Sequence, residues 1–188
     1  MRFRQNVLCS SGVGAEMFDT SKLPALFFAP FVSSQMRIEP HWIDYNGHLN
    51  MAYYHVLFDN ALGEALSLVG LGEEYIHERG MSFFTGEVHV IYKRELHLDD
   101  PVRVRLQLVG YDEKRLHIYE ELCHATEGWV SATCELISLN VDMATRRVAP
   151  FPCDIIDNLA EMRSSHGYLP TPEIVGRSIR TPAPLSRQ

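Results

Sequence analysis

His41-Trp42-Ile43-Asp44-Tyr45-Asn46-Gly47-His48-Leu49-Asn50 is the densest polar stretch of the chain, and what flanks it decides the fold. Asp44-Tyr45-Asn46-Gly47 is turn chemistry, so the strand read over Gln35 to Trp42 halts there. Asn50 suits the cap of a helix running to about Val69. Tyr54, Phe58, Ala61, Ala65 and Leu68 then step by four, three, four and three, the stripe of a helix with one buried side. Leu57, Leu62, Leu66 and Val69 widen the stripe, which predicts a deeply embedded helix. Gly70 and Gly72 end it, and a short helical turn over Glu73 to Arg79 closes at Gly80.

Working outward, Ser82 to Val141 reads as strand. Val102, Val104, Leu106 and Leu108 alternate with Arg103, Arg105 and Gln107, as in a half-exposed antiparallel strand. Leu116 and Ile118 belong to the next strand, after a turn near Tyr111-Asp112-Glu113. Glu127-Gly128 makes a hairpin into Trp129 to Val141, where Val130, Ala132, Cys134 and Leu136 share a face. Phe151 to Met162 reads as a final helix. The class is α+β, with an antiparallel sheet of about five strands wrapped around one long helix.

The domain spans 35–164. Residues 1–34 form an irregular extension in which Leu26-Phe27-Phe28 offers an apolar anchor, and Met17 and Met36 leave a later start open. Residues 165–188 carry Pro170, Pro172, Pro182 and Pro184 and read as a tail.

A chain of 188 residues suffices for one domain with its own core. The net charge of −7 argues against a general affinity for nucleic acid or anionic membrane, since both need basic surface. No apolar run approaches the roughly 18 to 20 residues that span a bilayer, and the first residues lack the apolar core of a secretory signal. A cytoplasmic location is expected. Cys9, Cys123, Cys134 and Cys153 include no C-x-x-C pair, as suits thiols in a reducing compartment. The nine histidines show no zinc-like spacing, so no metal site is expected. Gly-rich phosphate loops, dinucleotide fingerprints and nucleophile elbows are absent from the sequence, and no cofactor is expected.

The stretch at 41–50 is a good place for chemistry. The first turn of a helix offers unpaired N–H groups and the positive end of its dipole, which can hold an oxygen that becomes anionic. A nearby carboxylate acts as base or nucleophile. The plainer reading stands beside it: Asp-x-Asn-Gly is common in turns, and Asn50 is a cap.

The run Trp42-Ile43-Asp44-Tyr45-Asn46-Gly47-His48-Leu49-Asn50, followed by Tyr53-Tyr54 and Asp59, resembles the 4-hydroxybenzoyl-CoA thioesterase-type hotdog hydrolases. The likeness extends through Thr85-Gly86-Glu87-Val88-His89-Val90-Ile91-Tyr92 and Leu98-Asp99-Asp100-Pro101-Val102, covering about residues 36 to 150. It implies an acyl-CoA thioesterase with Asp44 as catalytic carboxylate, either nucleophile or general base. Gly47 and the amides near Asn50 and Met51 would polarise the thioester carbonyl. His48, as a site-ordering residue, Tyr54, Thr85 and Glu87 complete the substrate-binding expectation, with Lys114 and Arg115 for the phosphates of coenzyme A, which enters as substrate.

Thr85-x-Glu87-x-His89-x-x-Tyr92 together with Asp112-Glu113-Lys114-Arg115-Leu116-His117 resembles thioesterases of carnitine breakdown that hydrolyse betainyl-CoA. Glu87 would then face a quaternary ammonium, with Trp42 or a tyrosine as an aromatic wall. The resemblance also implies a homodimer or a dimer of dimers, because the sheet has an open edge and hotdog clefts lie between subunits. Two rival readings remain on sequence grounds: a hotdog hydratase or dehydratase, and a non-catalytic acyl-thioester binding module.

Overall fold

The computed structural model describes residues 28–179. Most of the expected N-terminal extension, with Cys9, Met17, Leu26 and Phe27, lies outside the described residues, as do Pro182 and Pro184. In chain order the elements are β1 (Phe31–Val32), β2 (Met36–Arg37), a 3-10 turn (Pro40–Trp42), α1 (Met51–Leu68), α2 (Glu73–Arg79), β3 (Met81–Tyr92), β4 (Pro101–Tyr111), β5 (Arg115–His124), β6 (Val130–Asp142), β7 (Arg147–Val148) and α3 (Cys153–His166).

The buried stripe of α1 consists of Tyr54, Leu57, Phe58, Ala61, Leu62, Ala65 and Leu66, and Asn50 caps the helix by accepting the Ala52 N–H at 3.0 Å. Against it lies an antiparallel sheet in the order β1-β4-β5-β6-β3, with β2 also on β4 and β7 on β6. Val102, Val104, Leu106 and Leu108 of β4, Leu116, Ile118 and Leu122 of β5, and Ala132, Cys134 and Leu136 of β6 form the face packed into the core. β4, β5 and β6 are joined as a meander, while β3 returns to the far edge beside β6. The α+β class and the helix wrapped by its sheet agree with the expectation.

Three local differences have physical causes. Only Met36–Arg37 of the expected strand over 35–42 pairs with β4, because Pro40 opens a 3-10 turn instead. The final helix begins after Pro152 and runs to His166, where Phe151 to Met162 was expected. His166 is held there by the Leu108 N–H, which donates to its Nδ1 at 2.8 Å, while Nε2 lies 3.0 Å from the Phe28 carbonyl. The Phe28 side chain, expected to pack on the domain, is 76% exposed; its backbone makes the contact instead.

Candidate active site

The loop before α1 is a tight, pinned structure. Ile43 and Leu49 form an antiparallel bridge, and Leu49 is buried. Between them the Asp44 N–H donates to the His48 carbonyl at 3.0 Å, and the Gly47 N–H to the Asp44 carbonyl at 3.0 Å. Gly47 has φ of +83°, the left-handed conformation that closes the turn. Two further bonds fix the loop to its surroundings: Leu49 N–H to the Leu96 carbonyl at 2.8 Å, and Asn50 N–H to the Trp42 carbonyl at 2.9 Å.

This scaffold holds the Asp44 carboxylate, whose side chain is 16% exposed. Its Oδ1 accepts the Asn46 N–H at 2.7 Å and lies 3.9 Å from His48 Nδ1. Asn46 Nδ2 lies 3.4 Å from the other oxygen. At the helix start, the Asn50 amide is already committed to Trp42 and the Ala52 amide to the cap. The Met51 N–H meets no acceptor among the described residues, and Met51 is exposed. The loop that holds the carboxylate thus runs directly into the positive end of α1, where one amide is free.

The other expected site residues separate into groups. Tyr54 is buried, edge-on to Tyr92 with ring centroids 5.0 Å apart, and burial raises its hydroxyl pKa. Thr85 and Glu87 fall on opposite faces of the sheet, because a bulge at Gly86 shifts the register from Thr85↔Ser138 to Glu87↔Ile137. Thr85 looks toward α1; Glu87 joins His89, His117 and Glu135 on the outer face. Lys114 pairs with Glu113 at 3.1 Å. Arg115 is engaged by Asp112 in the same turn, at 2.8 Å from Nε and 2.6 Å from Nη2, which raises the guanidinium pKa and lowers that of the carboxyl.

Residues 38–159 match the model of the thioesterase-like superfamily. The chain belongs to that family. It is 37% identical over 143 residues to the betainyl-CoA thioesterase of Pseudomonas aeruginosa, covering 76% of this chain and 90% of the relative. Among solved structures, a hypothetical protein from Staphylococcus aureus in complex with CoA superposes with a TM-score of 0.76 at 27% identity, over 84% of this chain and 99% of that one. A putative thioesterase from Pseudomonas putida gives 0.69 at 31% identity, over 83% and 99%. The fold is the hotdog, and this thioesterase-like protein is a thioester hydrolase.

The thioesterase has a second polar cluster that the sequence reading passed over. A cavity of about 330 Å³ between α1 and the inner face of the sheet is lined by His55, Phe58, Asp59, Thr85, Glu120 and Cys134, with aliphatic walls. Glu120 has no exposed surface, and neither carboxylate oxygen has a hydrogen-bond partner of good geometry; the weakly donating Cys134 thiol is the polar group beside it. Burial pushes the Glu120 pKa well above the usual carboxylate range, and Asp59 adds to the rise. The signal was in the core-facing alternation Leu116, Ile118, Glu120, Leu122, where one position of an apolar series carries a charge. Among the described residues no group of three or more His, Cys, Asp or Glu is placed to hold a metal ion, and no helix is long and apolar enough to cross a membrane.

Proposed function

We propose that this chain hydrolyses the thioester of a small acyl-CoA, with betainyl-CoA as substrate and Asp44 as the catalytic carboxylate. The observation that carries the reading is the Asp44 carboxylate, held by the Asn46 N–H in the pinned loop that leads into α1, whose first amide, the Met51 N–H, has no acceptor among the described residues. The thioester oxygen rests against that amide, where one good donor typically contributes about 2.7 to 4 kcal/mol to lowering the barrier. Two routes use this geometry. In one, Asp44 attacks the carbonyl carbon, the C–S bond breaks, the CoA thiolate leaves, and water opens the mixed anhydride. In the other, Asp44 takes a proton from the attacking water and the thiolate is protonated as it departs. Gly47 and His48 keep the carboxylate aimed in either case.

The betainyl group is favoured by the 37% identity to the P. aeruginosa enzyme over nearly its whole length. The Asp44 side chain is 16% exposed and lines none of the cavities named above. A second protomer completes the cleft in this reading. β3 supports such pairing: it bonds to β6 on one side only, and Phe84, Val88 and Tyr92 along it are 41%, 39% and 45% exposed.

The test is thiol release from betainyl-, short-chain and aromatic acyl-CoA esters by the wild type and Asp44→Asn. Loss of general-base or nucleophilic action should lower the rate by roughly 10²- to 10⁴-fold while the fold persists. An unchanged rate removes Asp44 from the mechanism; hydration of an enoyl thioester without thiol release replaces the reaction. Sedimentation showing only monomer at micromolar concentration removes the shared cleft.

A further inference from the structure

The cavity behind α1 contains a feature that core packing does not explain. Glu120 pairs across the sheet with Leu106 on one side and Cys134 on the other, and Cys134 with Val90. In this rank of core-facing positions it is the one carboxylate. A buried carboxyl met by no more than a weak thiol donor is costly when charged, and when protonated it still forfeits most of its hydrogen bonds. The natural remedy is a ligand that supplies the missing charge. Asp59, exposed on α1, lines the same cavity at its rim, so two carboxylates face one space.

We propose that this cavity binds the quaternary ammonium group of the acyl substrate, with Glu120 at its floor and Asp59 at its mouth. The walls select the kind of cation. Val56, Phe58, Leu62, Val88 and Leu136 present apolar surface and one aromatic ring. A hard cation requires more oxygen ligands than two carboxylates and a threonine provide, and with His55 and Cys134 included no group of three or more His, Cys, Asp or Glu among the described residues is placed to hold a metal ion. A trimethylammonium head needs no hydrogen bonds: its methyl groups fit an apolar wall, and its charge is met by carboxylate and ring. This assigns the counter-charge to Glu120 and leaves Glu87, on the opposite face of the sheet, outside the acyl site.

The proposal rests on the betainyl reading and adds a geometric condition to it. Asp59 lies eight residues beyond Met51, about 12 Å further along the helix axis at 1.5 Å per residue. In a betainyl thioester the nitrogen is one methylene from the carbonyl carbon. Neither Asp44 nor Met51 lines this cavity, so one acyl group reaches both only in the cleft that a second protomer completes. The ammonium enters the cavity of one protomer while its thioester lies at the α1 start of another.

The groups facing Glu120 are His55 and Asp59 from α1, Thr85 from β3 and Cys134 from β6, with Leu106 of β4 beside it. Burial, with Glu120 adding, raises the Cys134 thiol pKa, so it stays neutral. Arrival of a fixed cation returns Glu120 to its charged form, and ligand uptake releases a proton. Affinity then increases with pH across the range where free Glu120 is protonated.

The experiment compares kcat/KM for betainyl-CoA and its neutral isostere 3,3-dimethylbutyryl-CoA in wild type, Glu120→Gln and Asp59→Asn, and measures tetramethylammonium binding by calorimetry. The ratio of the two substrates is independent of the amount of folded enzyme. It should fall on the order of thirtyfold in Glu120→Gln, the size expected when one partner of a buried charge contact is removed, and less in the exposed Asp59→Asn. Tetramethylammonium should bind the wild type with proton release and weaken in parallel. An unchanged ratio and unchanged binding in both variants overturn the assignment and make Glu120 a protonated core carboxyl. A wild type that binds tetramethylammonium through Glu120 but does not cleave betainyl-CoA sinks the substrate reading and keeps the cavity. Cleavage of betainyl-CoA with selectivity indifferent to Glu120 does the reverse. Co-assembled Asp44→Asn and Glu120→Gln protomers should regain betainyl selectivity; failure to regain any overturns the arrangement across subunits.

Discussion

Thr85 and Glu87 sit two positions apart on β3 yet face opposite sides of the sheet, because Gly86 is the extra residue of a bulge between them. An ideal strand would put both on one face. A Cβ at Gly86 would come within 3.1 Å of Leu139 Cδ1, so the bulge is also a point of close approach. The consequence is that the two side chains line different cavities. Thr85→Val removes a hydroxyl from the cavity behind α1, proposed above to take the acyl group, and should lower kcat/KM by about fivefold, the worth of one hydrogen bond. Glu87→Gln, an exposed outer-face change, should stay within about twofold. Kinetics with one substrate at fixed pH read both; equal effects would mean that the two side chains share a site.

Gly47 carries the second prediction. Its φ of +83° closes the turn that holds Asp44, and no heavy atom lies within 4 Å of where a Cβ would be. The cost of Gly47→Ala is therefore conformational, about 1 to 2 kcal/mol, and not steric crowding. If the turn relaxes to escape that strain, the Asn46 amide leaves the Asp44 carboxylate. Denaturant unfolding should show the loss in stability, and thiol release should slow as the carboxylate loses its aim. A variant with full activity and reduced stability would separate the turn from the chemistry.

Much of this was legible in the residues. The extent of α1, Met51–Leu68, follows from the buried stripe that its packing imposes, and Asn50 and Gly80 mark ends because capping has local chemistry. The bulge at Gly86 was not legible: one inserted residue leaves the composition of a strand unchanged and shows only in the pairing register. Glu120 was hidden differently. Tyr119-Glu120-Glu121 looks like exposed polar sequence, and only the phase set by Leu116, Ile118 and Leu122 places Glu120 inside. The pairing of Arg115 with Asp112 depends on turn geometry, which residue types alone do not determine.

Asn50 links stability to the site. Its Oδ1 accepts the Ala52 N–H at 3.0 Å, while its own N–H is tied to the Trp42 carbonyl at 2.9 Å. Asn50→Ala keeps the backbone bond and deletes the cap, a loss of about 0.5 to 2 kcal/mol. Asn50→Asp preserves an acceptor and adds negative charge at the positive helix end, so it should retain the stability. That same charge would stand beside the thioester oxygen and should slow hydrolysis. Thermal melts and thiol release therefore ought to rank the two variants oppositely; the same order in both would mean the cap does not neighbour the reacting carbonyl.

His166 makes the fold sensitive to acid. It is fully buried, its Nδ1 accepts the Leu108 N–H and its Nε2 reaches the Phe28 carbonyl, a pattern that requires the neutral ring with the proton on Nε2. Burial lowers its pKa below the ordinary 6.5, with nearby Arg163 adding to the effect and the Phe28 bond opposing it. The unfolded chain therefore binds the proton more readily than the native one, and stability rises with pH in this range. The contribution is complete above about pH 6.5 and declines as pH falls through that value toward the lower native pKa. His166→Ala orphans the buried Leu108 amide and should cost about 1 to 3 kcal/mol at any pH. His166→Gln restores an acceptor and a donor without a titrating ring. Urea titrations at several pH values between neutrality and pH 5 should show the decline steeper in the wild type than in His166→Gln. Parallel curves would assign the acid sensitivity to other groups.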